Sequence, residues 1–226
     1  PVQHLWATAI LVQIVVVFAP LVRMAQRGRR WELRPLIAAV SALFVASVAL
    51  GVVSSILLGV EPEAVALLTP VRAAEFFAGS LLALGLAFRL RGLASGSWRL
   101  PGGPITPIVG TLALAAVVAL WIVTPAGSTW LARGGYAAHA VLVTLVIVAA
   151  ITPSGPVHGL ATQPPLRKLG RLSLAIYVIQ WPVFLWLGTT HTGLDGNALY
   201  AYRVAAAVAL AWLAHRYLER PIRSGR

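Results

Sequence analysis

The sequence predicts an all-α, polytopic membrane bundle of about seven transmembrane helices, its N-terminus outside and its C-terminus cytoplasmic. Three observations carry that prediction. Seven long apolar stretches run through the 226 residues, and a span needs only about 20 apolar residues at 1.5 Å rise each. The composition is 59% hydrophobic and 11% charged, with a mean hydropathy of +0.84, whereas soluble domains carry about 25% charged residues. Finally, the basic residues fall in every second gap. Arg23, Arg27, Arg29, Arg30 and Arg34 fill the first gap, Arg89, Arg91 and Arg99 the third, and Arg167, Lys168 and Arg171 the fifth. Arg216, Arg220, Arg223 and Arg226 follow the last stretch, and the other gaps hold only Arg72, Arg133 and Arg203. Lys and Arg gather on the cytoplasmic side of a bilayer, so the alternation orients the chain.

The spans are placed near Leu5–Val22, Pro35–Val60, Val71–Phe88, Ile105–Thr124, Gly134–Thr152, Leu169–Gly188 and Leu199–Tyr217. Each must be a helix, because lipid offers no hydrogen-bond partner to an open backbone. The second is long enough to tilt. Breakers separate them: Glu61-Pro62-Glu63 outside, Pro101-Gly102-Gly103-Pro104 and the stretch from Pro153 to Pro165 inside. Gly193, Asp195, Gly196 and Asn197 make the last outer turn. With no internal repeat, residues 1–226 are expected to form a single transmembrane domain. The first span begins within a few residues of Pro1 and on the outside, which leads us to expect that an odd number of upstream spans is missing.

The formal charge of +12 does not signal a nucleic-acid partner. The charges lie beside apolar spans and on one side, where they set topology and attract anionic lipid headgroups. Cysteine is absent, which excludes a disulfide framework and a thiolate metal site. No two histidines share the i,i+4 spacing of a helical metal site, and no metal is expected. The chain has no Gly-rich phosphate loop and no GxSxG elbow.

Polar residues inside spans are the candidate site, since an ionisable group at the bilayer centre costs roughly 2.5–3.5 kcal/mol by insertion scales. Arg72 and Glu75 stand three residues apart and share a helical face. An i,i+3 ion pair, with Glu75 favoured by the helix N-terminus, also accounts for them. His4, Trp6 and Gln13 mark the first span. Trp6 reads equally as an interfacial anchor, and Gln13 requires an interhelical partner. The sixth span carries Ser173, Tyr177, Gln180, Trp181 and Pro182. Pro182 lacks an N–H and predicts a kink. At helical rise, His4, Arg72, Glu75, Gln180 and Trp181 reach similar depths in the outer half of the bundle. His139 reads as an isolated polar contact, and His158, His191 and His215 as loop-adjacent.

These residues carry a resemblance to the acyltransferase-3 family of bacterial membrane O-acyltransferases, and it covers nearly the whole chain. His4-Leu5-Trp6 with Gln13 and Pro20 is similar to that family's His-x-Trp-Ser-Leu-x-Val-Glu-x-Gln helix. Arg72-Ala73-Ala74-Glu75-Phe76 through Gly79 resembles its Arg-x-x-Glu-(apolar)-x-x-Gly motif. Leu169-Gly170-Arg171-Leu172-Ser173, then Tyr177 and Trp181-Pro182, resembles its Leu-Gly-x-x-Ser-x-x-x-Tyr-Leu-x-His-x-Pro helix, and Glu219-Arg220-Pro221 its closing Glu-Arg-Pro. Leu11 replaces the family's Glu, and Gln180 its His.

The resemblance implies that the chain is the last seven of about ten helices, with the family's usual Arg and catalytic His upstream in its first span. It implies transfer of an acyl group, by expectation acetyl, from acetyl-CoA or another acyl-CoA to a carbohydrate or glycolipid hydroxyl outside a bacterial inner membrane. No bound cofactor is expected. Arg72 then stabilises charge or recognises the donor, Glu75 holds Arg72, and His4, Trp6, Gln13, Tyr177, Gln180 and Trp181 bind substrate. Ser173, Pro182, Glu219, Arg220 and Pro221 are structural. A glycolipid flippase would use the same polar lining without a base, and a catalytically impaired homologue would keep the fold. A seven-span receptor matches by helix count alone.

Overall fold

The computed structural model describes residues 6–26, 33–94, 103–125 and 127–223. Every regular element among them is a helix. Among the described residues, six helical stretches are long and apolar enough to cross a membrane: Leu33–Ile56, Thr69–Phe88, Ile105–Val123, Leu131–Ile151, Pro164–Trp186 and Gly196–Ile222. They coincide with the second to seventh predicted spans. The first prediction falls on α1 (Trp6–Gln26), whose apolar stretch is Ala9–Pro20. Large apolar side chains stay uncovered along these helices, with Leu112 at 65% and Val45 at 61% exposure. A soluble monomer rarely presents so continuous an apolar surface; hydrocarbon covers it without penalty.

Backbone contacts divide the chain into two compact units, Thr8–Ala161 and a second built on Thr162–Arg226. In the first, α1 packs with α2 (Leu33–Ile56) and α4 (Thr69–Ala94) around Ile10, Ile14, Val40, Ala73 and Phe77. Phe18, Phe76 and Phe77 meet edge to face, at centroid distances of 5.4 and 5.8 Å from Phe18, a geometry set by the ring quadrupoles. The Ser47 hydroxyl of α2 donates to the Pro70 carbonyl of α4. Antiparallel α5 (Ile105–Val123) and α6 (Tyr136–Ile151) approach so closely that a Cβ on Gly110 would stand 2.1 Å from Ala149 Cβ. Such small-residue contact is how helices associate where hydrophobicity supplies no drive.

The connections hold more helix than the breakers suggested. Pro62 opens a short α3 (Pro62–Leu67) instead of terminating structure. Proline fits the first helical turn, where its missing N–H would have had no partner. The Pro153–Pro165 stretch likewise contains α7 (Gly155–Thr162), and Pro164 opens α8 (Pro164–Trp186), earlier than Leu169. Before α6, residues Leu131–Gly135 form a π-turn broken by Gly134 at φ 110°. That conformation is accessible to glycine at no steric cost.

In the second unit, α8 packs against α10 (Gly196–Ala214), with the four-residue α9 (Thr189–Thr192) between them in sequence. Arg203 Nε of α10 donates to the Leu187 carbonyl at 2.7 Å, satisfying the end of α8. The chain continues through a π-turn, His215–Glu219, into α11 (Arg220–Arg223).

Candidate functional site

The polar groups of the first unit gather where α4 begins, α5 ends and α6 begins. Helices that alternate in direction bring those three termini to one side, the side expected outside. There a cleft of about 390 Å³ is lined by Arg72 and Glu75 of α4, Trp121 of α5, Trp130, and Tyr136 and His139 of α6, among others. Arg72 Nη1 lies 2.9 Å from Glu75 Oε1, and the two side chains are 16% and 33% exposed. The spacing of three along α4 makes this pairing direct. Glu75 lies six residues past Thr69, beyond the first turn, so its interaction is with Arg72 and not with the helix N-terminus. The Arg72 guanidinium also stacks on the Tyr136 ring, 4.4 Å from its centroid.

His139 is not the isolated contact expected from sequence. The Trp121 indole N–H donates to His139 Nε2 at 3.1 Å, across α5 and α6. An indole nitrogen only donates, so Nε2 accepts and the neutral imidazole carries its proton on Nδ1. A ring held this way has its Nε2 lone pair engaged and presents an N–H. The position of Trp130 depends on the glycines before α6. A Cβ on Gly135 would lie 2.4 Å from the Trp130 ring, so only glycine lets that ring rest on the backbone.

The remaining candidates belong to other helices. Gln13 of α1 accepts a hydrogen bond from Thr69 Oγ1 of α4 at 2.9 Å, the interhelical partner its position required. Trp6 opens α1, and His4 lies outside the described residues. Ser173, Tyr177, Gln180, Trp181 and Pro182 all ride on α8, which is continuous through Pro182. Tyr177 and Gln180 are half-buried, while Ser173, Trp181 and Pro182 are exposed. Glu219 Oε2 meets His215 Nδ1 at 2.8 Å, four residues apart on the last π-turn, ahead of Arg220 and Pro221 in α11. Trp121, Trp130 and Tyr136 were not singled out in the sequence. The available signal was an aromatic ending one span and a polar pair opening the next, joined by a short connection that makes the two helices neighbours.

The chain is similar to O-acetyltransferases among curated proteins. It is 29% identical over 231 residues to YrhL of Bacillus subtilis (strain 168), whose name carries a provisional assignment as a peptidoglycan O-acetyltransferase. That alignment covers 99% of this chain and 35% of YrhL, so the chain spans about a third of that protein's length. It is 22% identical over 117 residues to the O-acetyltransferase OatA of Staphylococcus aureus (strain NCTC 8325 / PS 47), covering 51% of this chain and 19% of OatA. No protein-family model matches the chain. No solved structure matches it either.

Proposed function

We propose that this chain is the C-terminal transmembrane part of an O-acyltransferase of the acyltransferase-3 type. It would move an acetyl group from acetyl-CoA or another acyl-CoA to a hydroxyl of an extracytoplasmic polysaccharide, peptidoglycan or glycolipid. The observation that carries the reading is the Arg72–Glu75 pair at 2.9 Å, held in an apolar span at the mouth of a cleft. Similarity to proteins named as O-acetyltransferases supports it.

Acyl transfer needs a base for the attacking hydroxyl and donors for the developing oxyanion. For the second task Arg72 supplies guanidinium N–H donors, and Glu75 fixes their direction. His139, with Nε2 taken by Trp121, presents an N–H and suits hydrogen bonding to substrate more than proton abstraction. The base is therefore assigned to another residue, in keeping with the family's upstream His. The donor's phosphates are met by cations on the side expected inside, among them Arg167, Lys168 and Arg171. The acceptor path along α8 uses Tyr177, Gln180 and Trp181. The seat of the enzyme is the bacterial inner membrane.

The test is acetyl transfer from labelled acetyl-CoA in membranes carrying the full-length protein. Arg72→Ala or Glu75→Ala should remove transfer more severely than abundance. Unchanged transfer at wild-type abundance in both variants would refute the site. Lipid-linked glycan moved across the bilayer without acetylation would instead identify a flippase.

A further inference from the structure

We infer that the α4–α5–α6 cleft binds an uncharged pyranose ring, with Trp121 as its stacking platform and the Trp121–His139 hydrogen bond fixing that platform. The inference rests on the carbohydrate acceptor proposed above and adds where one of its rings sits and what selects it.

Three features converge. The first is an aromatic surface: Trp121 is 69% and Trp130 39% exposed. A tryptophan at a span end ordinarily anchors the helix at the bilayer interface, its N–H directed to water or headgroups. Here the N–H of Trp121 is bonded to His139 Nε2 at 3.1 Å. The indole edge is thereby tied to the facing helix, and its plane is fixed beside the cleft. An aromatic body with its polar handle satisfied offers an apolar face, which matches the C–H face of a sugar ring.

The second is balanced charge. Arg72 is held by Glu75 at 2.9 Å and covered by Tyr136 at 4.4 Å. A site for phosphates or carboxylates requires surplus positive potential, and one cation beside one carboxylate supplies none. Carboxylate acceptors, guanidinium donors and the His139 N–H together suit hydroxyls, which both donate and accept. The third is size. At about 390 Å³ the cleft lies at the small end of ligand pockets, which run about 300–1,000 Å³. A sugar ring is accommodated, whereas an entire acyl-CoA is not.

The full chain in lipid nanodiscs can be tested by equilibrium dialysis against two labelled probes. One is the neutral β-1,4-linked trimer of N-acetylglucosamine, and the other is acetyl-CoA. The trimer should bind, and Trp121→Ala should weaken it about tenfold, the scale of one lost aromatic contact. Trp121→Phe keeps a ring but loses the bond to His139, and should fall between. Trp186→Ala, at 82% exposure the control for a surface tryptophan, should leave binding unchanged. Neither Trp121 variant should alter acetyl-CoA binding. Absence of trimer binding, or equal binding by Trp121→Ala, overturns the inference. So does a Trp121→Ala effect confined to acetyl-CoA, which would give the cleft to the donor. Acetyl transfer by full-length protein separates the two levels. Transfer with trimer binding indifferent to Trp121 overturns only the cleft assignment, whereas absence of transfer overturns the acyltransferase reading.

Discussion

Removing Glu75 should cost more than removing Arg72 and Glu75 together. Glu75→Ala leaves the Arg72 guanidinium in an apolar span without the carboxylate 2.9 Å away. Exposed pairs contribute about 0.2–1 kcal/mol, while breaking a fully buried pair costs about 3–5 kcal/mol. With side chains 16% and 33% exposed, this pair lies between those limits. We therefore expect Glu75→Ala to destabilise by about 1–3 kcal/mol. In the double variant Arg72→Ala/Glu75→Ala the guanidinium is removed together with its carboxylate, and the loss should fall below that of Glu75→Ala alone. Denaturant unfolding in bicelles, read as a double-mutant cycle, measures the difference. Independent sites add to within about 0.3–0.5 kcal/mol, so additivity at that level would refute the coupling. Acetyl transfer by full-length protein should not return in the double variant, because restored stability does not restore the guanidinium. Recovery of transfer along with stability would make the pair structural only.

Other consequences follow from contacts elsewhere in the first unit. Gly110→Ala puts a methyl 2.1 Å from Ala149 Cβ and should destabilise by about 1–3 kcal/mol, the usual cost of overpacking; Ala149→Gly in the same chain should recover most of it, and no recovery would contradict the helix contact. Gln13→Leu with Thr69→Val removes one interhelical hydrogen bond and should shift stability by about 0.6 kcal/mol in bilayer unfolding, well short of the ion-pair effect. Reporter fusions after Glu63, Ser128 and Asp195 should read outside, and those after Arg29, Ser97 and Arg167 inside. An inverted pair of neighbouring loops would overturn the orientation.

The spans were legible because bilayer thickness imposes one length on every crossing, and six recur within a few residues of their predicted limits. The Arg72–Glu75 pair was legible for a local reason: three residues along a helix fix the proximity whatever surrounds it. Trp121 and His139 are 18 residues apart, and their bond depends on how far α5 slides along α6. That register follows from Gly110 fitting against Ala149, a choice among several small residues that no periodicity announces. The π-turn at Leu131–Gly135 was hidden for a similar reason, since Gly134 reads as a span limit until Trp130 is seen lying on Gly135. Helices α3 and α7 were missed because proline was read as a terminator where it initiates.

Charge distribution connects the orientation to the chemistry. Fifteen of the eighteen basic residues lie on the side expected inside, against Glu32 and Glu219. The opposite side holds Arg72, Arg133 and Arg203 against Glu61, Glu63, Glu75 and Asp195. One end is strongly cationic, and the end bearing the cleft is close to neutral. The proposed donor, which carries phosphates, and the proposed uncharged acceptor would thus be sorted by the asymmetry that orients the helices. Salt should separate them. The Debye length falls from about 30 Å at 0.01 M to about 3 Å at 1 M, so attraction of an anion to exposed cations weakens steeply across that range. Stacking and hydrogen bonding in a charge-balanced cleft do not depend on it. Binding of acetyl-CoA to the full chain in nanodiscs should therefore weaken progressively with added salt, while the neutral trisaccharide keeps its affinity. Equal loss of both would mean that a shared electrostatic feature governs them, and the division between a cationic donor side and a neutral acceptor side would be wrong.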